Sequence, residues 1–434
     1  MSTQDIQGDS QVTDQQRRGM LIAIICGCLV GISLTMFTSG LMLLFFYAAK
    51  INAVRMIAYL SIPLAVDGLT KMPFAYLADR IGVKRLGVAG AILEMIGFGI
   101  LALSGFGQGQ AIEGLIVLGI CVYSLGSSMC FSGWFALLQP LVPKAIRGQF
   151  FGRLRMSWQT VALIFTGVCA SYLTVDSPVY LFQVVMGIAT FVLMLRIWIY
   201  SLIPDLTEPH PKGMSFKKAI DHIMHVDGFA SFVAYVFLLS LFTAGAPMLF
   251  ALIEKKVLGM GDNQVLWLGN LQMFGSVVGF YIGGKLVDRL GTKPVFLICH
   301  FSYSLALILF LVRGLSGDWL IGCIAAAQFF YGIVVAASSI AISTETLSLM
   351  PEENQALFSS MGNMMFRAGG AFSGMASAWM LKLGVFNDDW TLWELPMTQY
   401  DSILFCFAGM VIVLVITLGL VPSVIRKAEW IPRS

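Results

Sequence analysis

The sequence predicts an all-α membrane protein of twelve transmembrane helices, built as two pseudo-symmetric six-helix bundles. Three observations carry that expectation: a composition too apolar for a water-soluble globule, twelve apolar runs of spanning length, and an internal repeat. Of 434 residues, 58% are hydrophobic and 12% charged, with a mean hydropathy of +0.83. Soluble domains carry about 25% charged residues, so this chain lacks the polar surface to cover a globule of its size and reads as polytopic. The formal net charge of +3 says little about partners. The eight cysteines lie in or beside apolar runs and read as small buried hydrophobes. Cys26-Gly-Cys28 has ligand-like spacing but no matching partner motif, so no metal is expected.

Taken in order, residues 1–19 form a polar tail without a cleavable signal. The apolar runs follow at 20–48, 53–78, 84–104, 112–139, 152–174 and 178–203, the N-terminal bundle (20–203). A linker, 204–227, is Pro-rich first and then amphipathic from Ser215, an N-cap residue type; Phe216, Ile220 and Ile223 suit a helix lying on the membrane surface. The second set lies at 228–253, 264–287, 293–313, 319–347, 354–383 and 401–424, the C-terminal bundle (228–424), before a tail at 425–434. Lysine and arginine set the direction. Arg17, Arg18, Arg80, Lys84, Arg85, Lys144, Arg147, Arg153, Arg155, Lys212, Lys217, Lys218, Lys285, Arg289, Lys293, Arg426, Lys427 and Arg433 fall on one side. Only Lys50, Arg55, Lys255, Lys256, Arg313 and Lys382 fall on the other. Both termini are therefore expected in the cytoplasm, and the protein in the cytoplasmic (inner) membrane.

The repeat has two landmarks. "LADRIGVKR" (77–85) recurs as "LVDRLGTKP" (286–294), placing Asp79 on Asp288. "LVPKAIRGQFFG" (141–152) recurs as "LMPEENQALFSS" (349–360), placing Pro143 on Pro351 at nearly the same offset. On these residues the chain closely resembles the major facilitator superfamily of secondary transporters, whose loop motif reads approximately G-x-x-x-D-R-x-G-x-R/K-R/K. The first copy is Ala75, Asp79, Arg80, Gly82, Lys84 and Arg85, with alanine at the first glycine; the second is Gly284, Asp288, Arg289, Gly291 and Lys293, ending in Pro294. Gly82 allows a tight turn, the cations anchor the cytoplasmic side, and Asp79 and Asp288 are placed to accept bonds from a helix N-terminus or an arginine. The resemblance implies that these contacts close the cytoplasmic face and break during turnover. The bland alternative is plain topogenic charge.

Charge inside a span is costly and marks function or pairing. Asp67 and Lys71 stand one helical turn apart in the second run, and Glu94 in the third run can join them in a buried cluster. Such a cluster is either a proton-coupling site or a static tie between helices. It has no echo in the second half, where the repeat offset lands on Ser276 and Phe280. Arg367 lies near mid-membrane and corresponds to Gln159; it binds an anionic substrate group, pairs with an acid on another helix, or is solvated. Arg196 reads as a snorkelling residue near the interface. The resemblance makes the first, fourth, seventh and tenth runs line a central cavity, with Ser33, Trp134, Gln328 and Tyr331 as substrate-binding candidates. Pro247 after Gly245-Ala246 should kink the seventh run, a bend suited to a gate.

The reading is a secondary active transporter that moves a small polar solute by alternating access, coupled to protons. A facilitative uniporter or a non-transporting membrane sensor is the alternative. A sugar or glycoside, an organic anion and a nucleoside remain open as substrate. No enzyme activity, cofactor or nucleic-acid partner is expected; the partners are the solute, protons and the bilayer, and the expected state is a monomer.

Overall fold

The computed structural model describes residues 12–38, 41–51, 53–106, 110–173, 177–206, 215–260, 262–386, 390–392, 395–414 and 416. The sequence-level readings placed on residues 1–11, Lys212 and the tail at 425–434 lie outside these.

Apolar runs become helices because only a helix satisfies its backbone polar groups within one segment. The first is α1 (Asp14–Thr38), which starts ahead of the apolar run. A capping box explains the early start: the Thr13 hydroxyl accepts from the Gln16 amide N–H, and Gln16 Oε1 accepts from the Thr13 N–H, each at 3.2 Å. Residues 14–19, read as tail, are therefore helical. There follow α2 (Leu41–Ala48), α3 (Ala53–Ile81), α4 (Val83–Ser104), α5 (Gln110–Ser132), α6 (Trp134–Leu138), α7 (Arg147–Tyr172) and α8 (Val179–Ser201). The fourth run, expected as a single span, is thus divided at Gly133. The linker holds α9 (Phe216–Met224), preceded by Ser215 as its composition predicts. Its Ile223 is fully buried, and the Phe216 ring packs edge-on against Tyr76 at 5.2 Å.

The remainder comprises α10 (Phe229–Thr243), α11 (Ala246–Leu252) with a π-helical turn at Ile253–Val257, α12 (Asp262–Leu290), α13 (Thr292–Leu311), α14 (Leu320–Leu349) and α15 (Gln355–Leu383). A short antiparallel hairpin, β1 (Trp390–Leu392) and β2 (Leu395–Met397), precedes α16 (Gln399–Leu414). The break between α10 and α11 falls where Pro247 predicts it: Pro occupies the first turn of α11, where its missing N–H is harmless.

Seven described stretches are long and apolar enough to cross a membrane: Asp14–Phe37, Val83–Ser104, Ala111–Leu138, Val179–Ser201, Phe229–Val257, Thr292–Gly314 and Gly317–Leu349. Four more helices, α3, α7, α12 and α15, are 26–29 residues long but more polar. They occupy equivalent places in the repeat, second and fifth in each half. Polarity is thus concentrated on matched pairs of helices.

The chain forms two compact units. One comprises Met1–Ala145, Leu154–Ile223 and Met350–Met361; the other Ile146–Arg153, Met224–Leu349 and Gly362–Ser434. The first turns of α7 therefore belong with the second unit, and those of α15 with the first. The first unit has an aromatic core of Phe45, Phe46, Phe98, Tyr123 and Phe182, all at most 2% exposed.

Candidate functional site

The duplicated loop motif builds the same device twice. In the first unit, Asp79 in the last turn of α3 accepts from the backbone N–H groups of Ala356 (2.8 Å) and Leu357 (3.0 Å), in the first turn of α15. In the second unit, Asp288 in the last turn of α12 accepts from Gly148 (2.7 Å) and Gln149 (2.8 Å), in the first turn of α7. A helix start presents unpaired N–H groups and a partial positive charge of about +0.5, and a carboxylate satisfies both. Each α3–α4 or α12–α13 turn pivots on a glycine of the motif with positive φ: Gly82 at +103° and Gly291 at +81°. An L side chain is strained there. Arg80 lies over the Tyr76 ring at 4.4 Å. Arg80, Arg85 and Arg289 are exposed, whereas Lys84 and Lys293 are half-buried.

The two clasps differ at their closest approach. A Cβ on Gly148 would lie 2.6 Å from the Gly284 carbonyl oxygen and 2.7 Å from Asp288 Oδ1; one on Gly284 would lie 2.6 Å from the Gly148 oxygen. In the first unit the matching residues are Ala75 and Ala356, both fully buried.

Asp67 and Lys71 form the predicted i, i+4 pair: Lys71 Nζ donates to Asp67 Oδ1 and Oδ2 at 3.1 and 3.0 Å. The lysine side chain is 4% exposed and the aspartate 18%. Neighbouring Thr70 donates to Ser128 on α5 at 2.9 Å.

Glu94 does not join them as a cluster. Its carboxylate pairs with Arg196 on α8, and both side chains are buried. Arg196 also donates to Cys130 Sγ at 2.9 Å. This corrects two expectations. Arg196 does not snorkel, because its helix face packs on α4 with an acid directly opposite. Glu94 is committed to that guanidinium, which offsets the desolvation that either charge alone would suffer.

The remaining candidates are distributed. Ser33 is buried and spends its hydroxyl on the Val30 carbonyl at 2.9 Å, the local backbone bond that serines favour in helices. Trp134, half-buried, opens α6 beside the Tyr200 ring at 6.2 Å. Gln159 is half-buried on α7, and Arg367 is exposed on α15. Gln328 and Tyr331, both buried on α14, reach across to the broken seventh run: Tyr331 donates to the Thr243 carbonyl at 2.7 Å, and Gln328 Nε2 donates to Glu254 in the π-helical turn. Close by in sequence to the hairpin, Asp401 takes Arg313 at 2.8 Å together with the Thr398 N–H and hydroxyl at 3.0 and 2.9 Å. Glu254, Arg313 and Asp401 were invisible as partners in the sequence because each sits at or beyond the end of an apolar run. Buried His300, 3.0 Å from the Tyr235 hydroxyl, had no motif to announce it.

The major facilitator superfamily model matches residues 23–374 and 232–429. The chain belongs to the major facilitator superfamily. No curated protein matches it by sequence. Among solved structures it is similar to a bacterial homologue of the iron transporter ferroportin in an outward-facing state, with TM-score 0.72, 10% identity, and coverage of 94% of this chain and 98% of that one. It is also similar to the human organic anion transporter MFSD10 (TM-score 0.70, 12% identity, 93% and 99% covered). The E. coli fucose:proton symporter FucP, in its N162A form, gives TM-score 0.68 at 12% identity, with 92% and 98% covered. At such identities the likeness is one of fold. Membership makes this superfamily chain an integral membrane protein of the transporter class.

Proposed function

We propose that the protein is a secondary active transporter that moves a small polar solute by alternating access, with twelve spans, both termini in the cytoplasm of a cell with the protein in its inner membrane, and protons as the driving ion. The observation that carries the coupling is the Asp67–Lys71 pair. A carboxylate 18% exposed beside a lysine 4% exposed can be reached by solvent, and protonating it would release the ammonium inside the helix bundle. The Asp79 and Asp288 clasps supply the hydrogen bonds that a conformational cycle would break and remake. Arg367, Gln159, Trp134, Gln328 and Tyr331 remain the residues for the solute.

The substrate is not inherited from the structural relatives, whose printed cargoes, iron, organic anion and fucose with a proton, differ among themselves. A sugar or glycoside, an organic anion and a nucleoside each suit amides, aromatics and a guanidinium as partners. A facilitative uniporter is the second reading, favoured by the two-oxygen grip of Lys71 on Asp67, which suits a permanent pair. Proteoliposomes loaded with solutes chosen by thermal-shift screening decide between them. Proton-driven accumulation should vanish in Asp67→Asn while downhill flux survives. Downhill flux that ignores the pH gradient, with no accumulation, would leave the uniporter, and absence of flux with every bound solute would leave a sensor.

A further inference from the structure

The buried acids of this protein fall into two kinds. Asp67 is held by Lys71, Glu94 by Arg196 and Asp401 by Arg313. A cation partner favours the ionised acid, so protonating any of these three must first break an ion pair. Glu254 is different. It is 1% exposed, and its side-chain partner among the described residues is the neutral amide of Gln328, itself 3% exposed. A neutral amide can serve either state of an acid: Nε2–H donates to a carboxylate, and after rotation Oε1 accepts from a carboxylic O–H. Gln328 Oε1 is buried without a hydrogen-bond partner, so the acceptor for the second state is already in place.

The position adds a second argument. Glu254 lies in the π-helical turn Ile253–Val257 that ends the broken seventh run, and π-turns inside helices recur at functional sites. One turn along α14 from Gln328, Tyr331 is tied to Thr243, the last residue of α10. The bonds of α14 thus hold both ends of the α11 segment. The charged groups around Glu254 are few. Arg313 is the cation that acts on it from another element, and Asp401 already engages it; Lys255 and Lys256 on the same turn are exposed. Glu345, at the far end of α14, also has an uncharged partner, the Thr292 hydroxyl at 2.5 Å, but it sits in a continuous α-helix and not in a π-helical turn.

We infer that Glu254, gripped by Gln328, is the protonation site of the second unit, and that gaining or losing its proton resets the tie between α14 and the π-helical turn. The proton comes from solvent and binds a carboxylate oxygen. The acid O–H then donates to Gln328 Oε1, where the amide had donated before. Only the purpose of this switch rests on the carrier reading; the proton itself is read without a solute.

Infrared difference spectra of the full-length protein in lipid, taken between acidic and alkaline buffers, test it. The wild type should gain the carbonyl band of a protonated carboxyl at acidic pH. In an Asp67→Asn background, where the acid of the first unit is silent, Glu254→Gln should lose that band while Glu345→Gln keeps it. Gln328→Leu should keep the band and shift its frequency, an arm that stands even if Glu254→Gln fails to fold. A band that survives Glu254→Gln, follows Glu345, ignores Gln328→Leu, or never titrates overturns the inference. A wild type that titrates as expected yet carries no solute in either direction supports this site and removes the carrier reading instead.

Discussion

The two clasps use one chemistry at two tightnesses. Asp79 and Asp288 each take a pair of N–H groups at the start of a helix, at 2.8 and 3.0 Å in the first unit and 2.7 and 2.8 Å in the second. Around Asp79 the matching residues are Ala75 and Ala356, both fully buried. Around Asp288 they are Gly284 and Gly148, where a Cβ would meet a carbonyl oxygen at 2.6 Å. Electrostatics therefore defines the clasp, and the small residue beside it sets how closely the backbones meet. The second clasp gains close packing and loses tolerance.

The sharpest way to break that symmetry is Gly148→Ala. The new methyl must displace the Gly284 backbone and the Asp288 carboxylate together, adding overpacking of about 1–3 kcal/mol to weakened charge-assisted bonds of about 1.5–3 kcal/mol. Thermal unfolding in detergent should drop clearly. The reciprocal Ala356→Gly should cost less, about 1–2 kcal/mol, through chain entropy and one lost buried methyl; equal melting losses would show that the glycines do not distinguish the clasps. Next in size, Asp79→Ala and Asp288→Ala each strip a helix start of its charged acceptor, a loss of about 1.5–3 kcal/mol. The two should match in melting temperature, and unequal losses would mean that the carboxylates do unequal work. Smallest, Gly82→Ala and Gly291→Ala force an L residue into positive φ, at about 1–2 kcal/mol each. Their shifts should agree, since the two turns share a conformation even where the clasps do not.

Much of this was legible in the sequence, for a physical reason. A repeat exposes positions that both halves must solve alike, so Asp79, Asp288, Gly82 and Gly291 could be picked out before their partners were known. The amphipathic linker helix and the break at Pro247 were also readable, because capping, periodicity and a missing N–H are local. The buried pairs were not. Glu94 and Arg196 are 102 residues apart, and only the packing of α4 on α8 brings them together; depth along one helix gave Arg196 the wrong neighbour, lipid headgroups instead of an acid. Asp67 and Lys71 succeeded where Glu94 failed because a one-turn spacing fixes a contact within a single helix. Glu254 escaped notice because hydropathy ends the seventh run one residue earlier, at 253, while the helical backbone continues to Val257.

The Glu94–Arg196 pair also bears on how the protein is made. A guanidinium within a lone helix opposes insertion, by up to about 2.5–3.5 kcal/mol where it lies at the centre and by less nearer an end, as for Arg196 in α8. The α8 segment reaches the membrane after α4, so its arginine can enter against an acid already waiting there. Removing Glu94 would then be felt first during biogenesis, as poor insertion of α8 and early degradation, before any finished molecule could be assayed for what it carries.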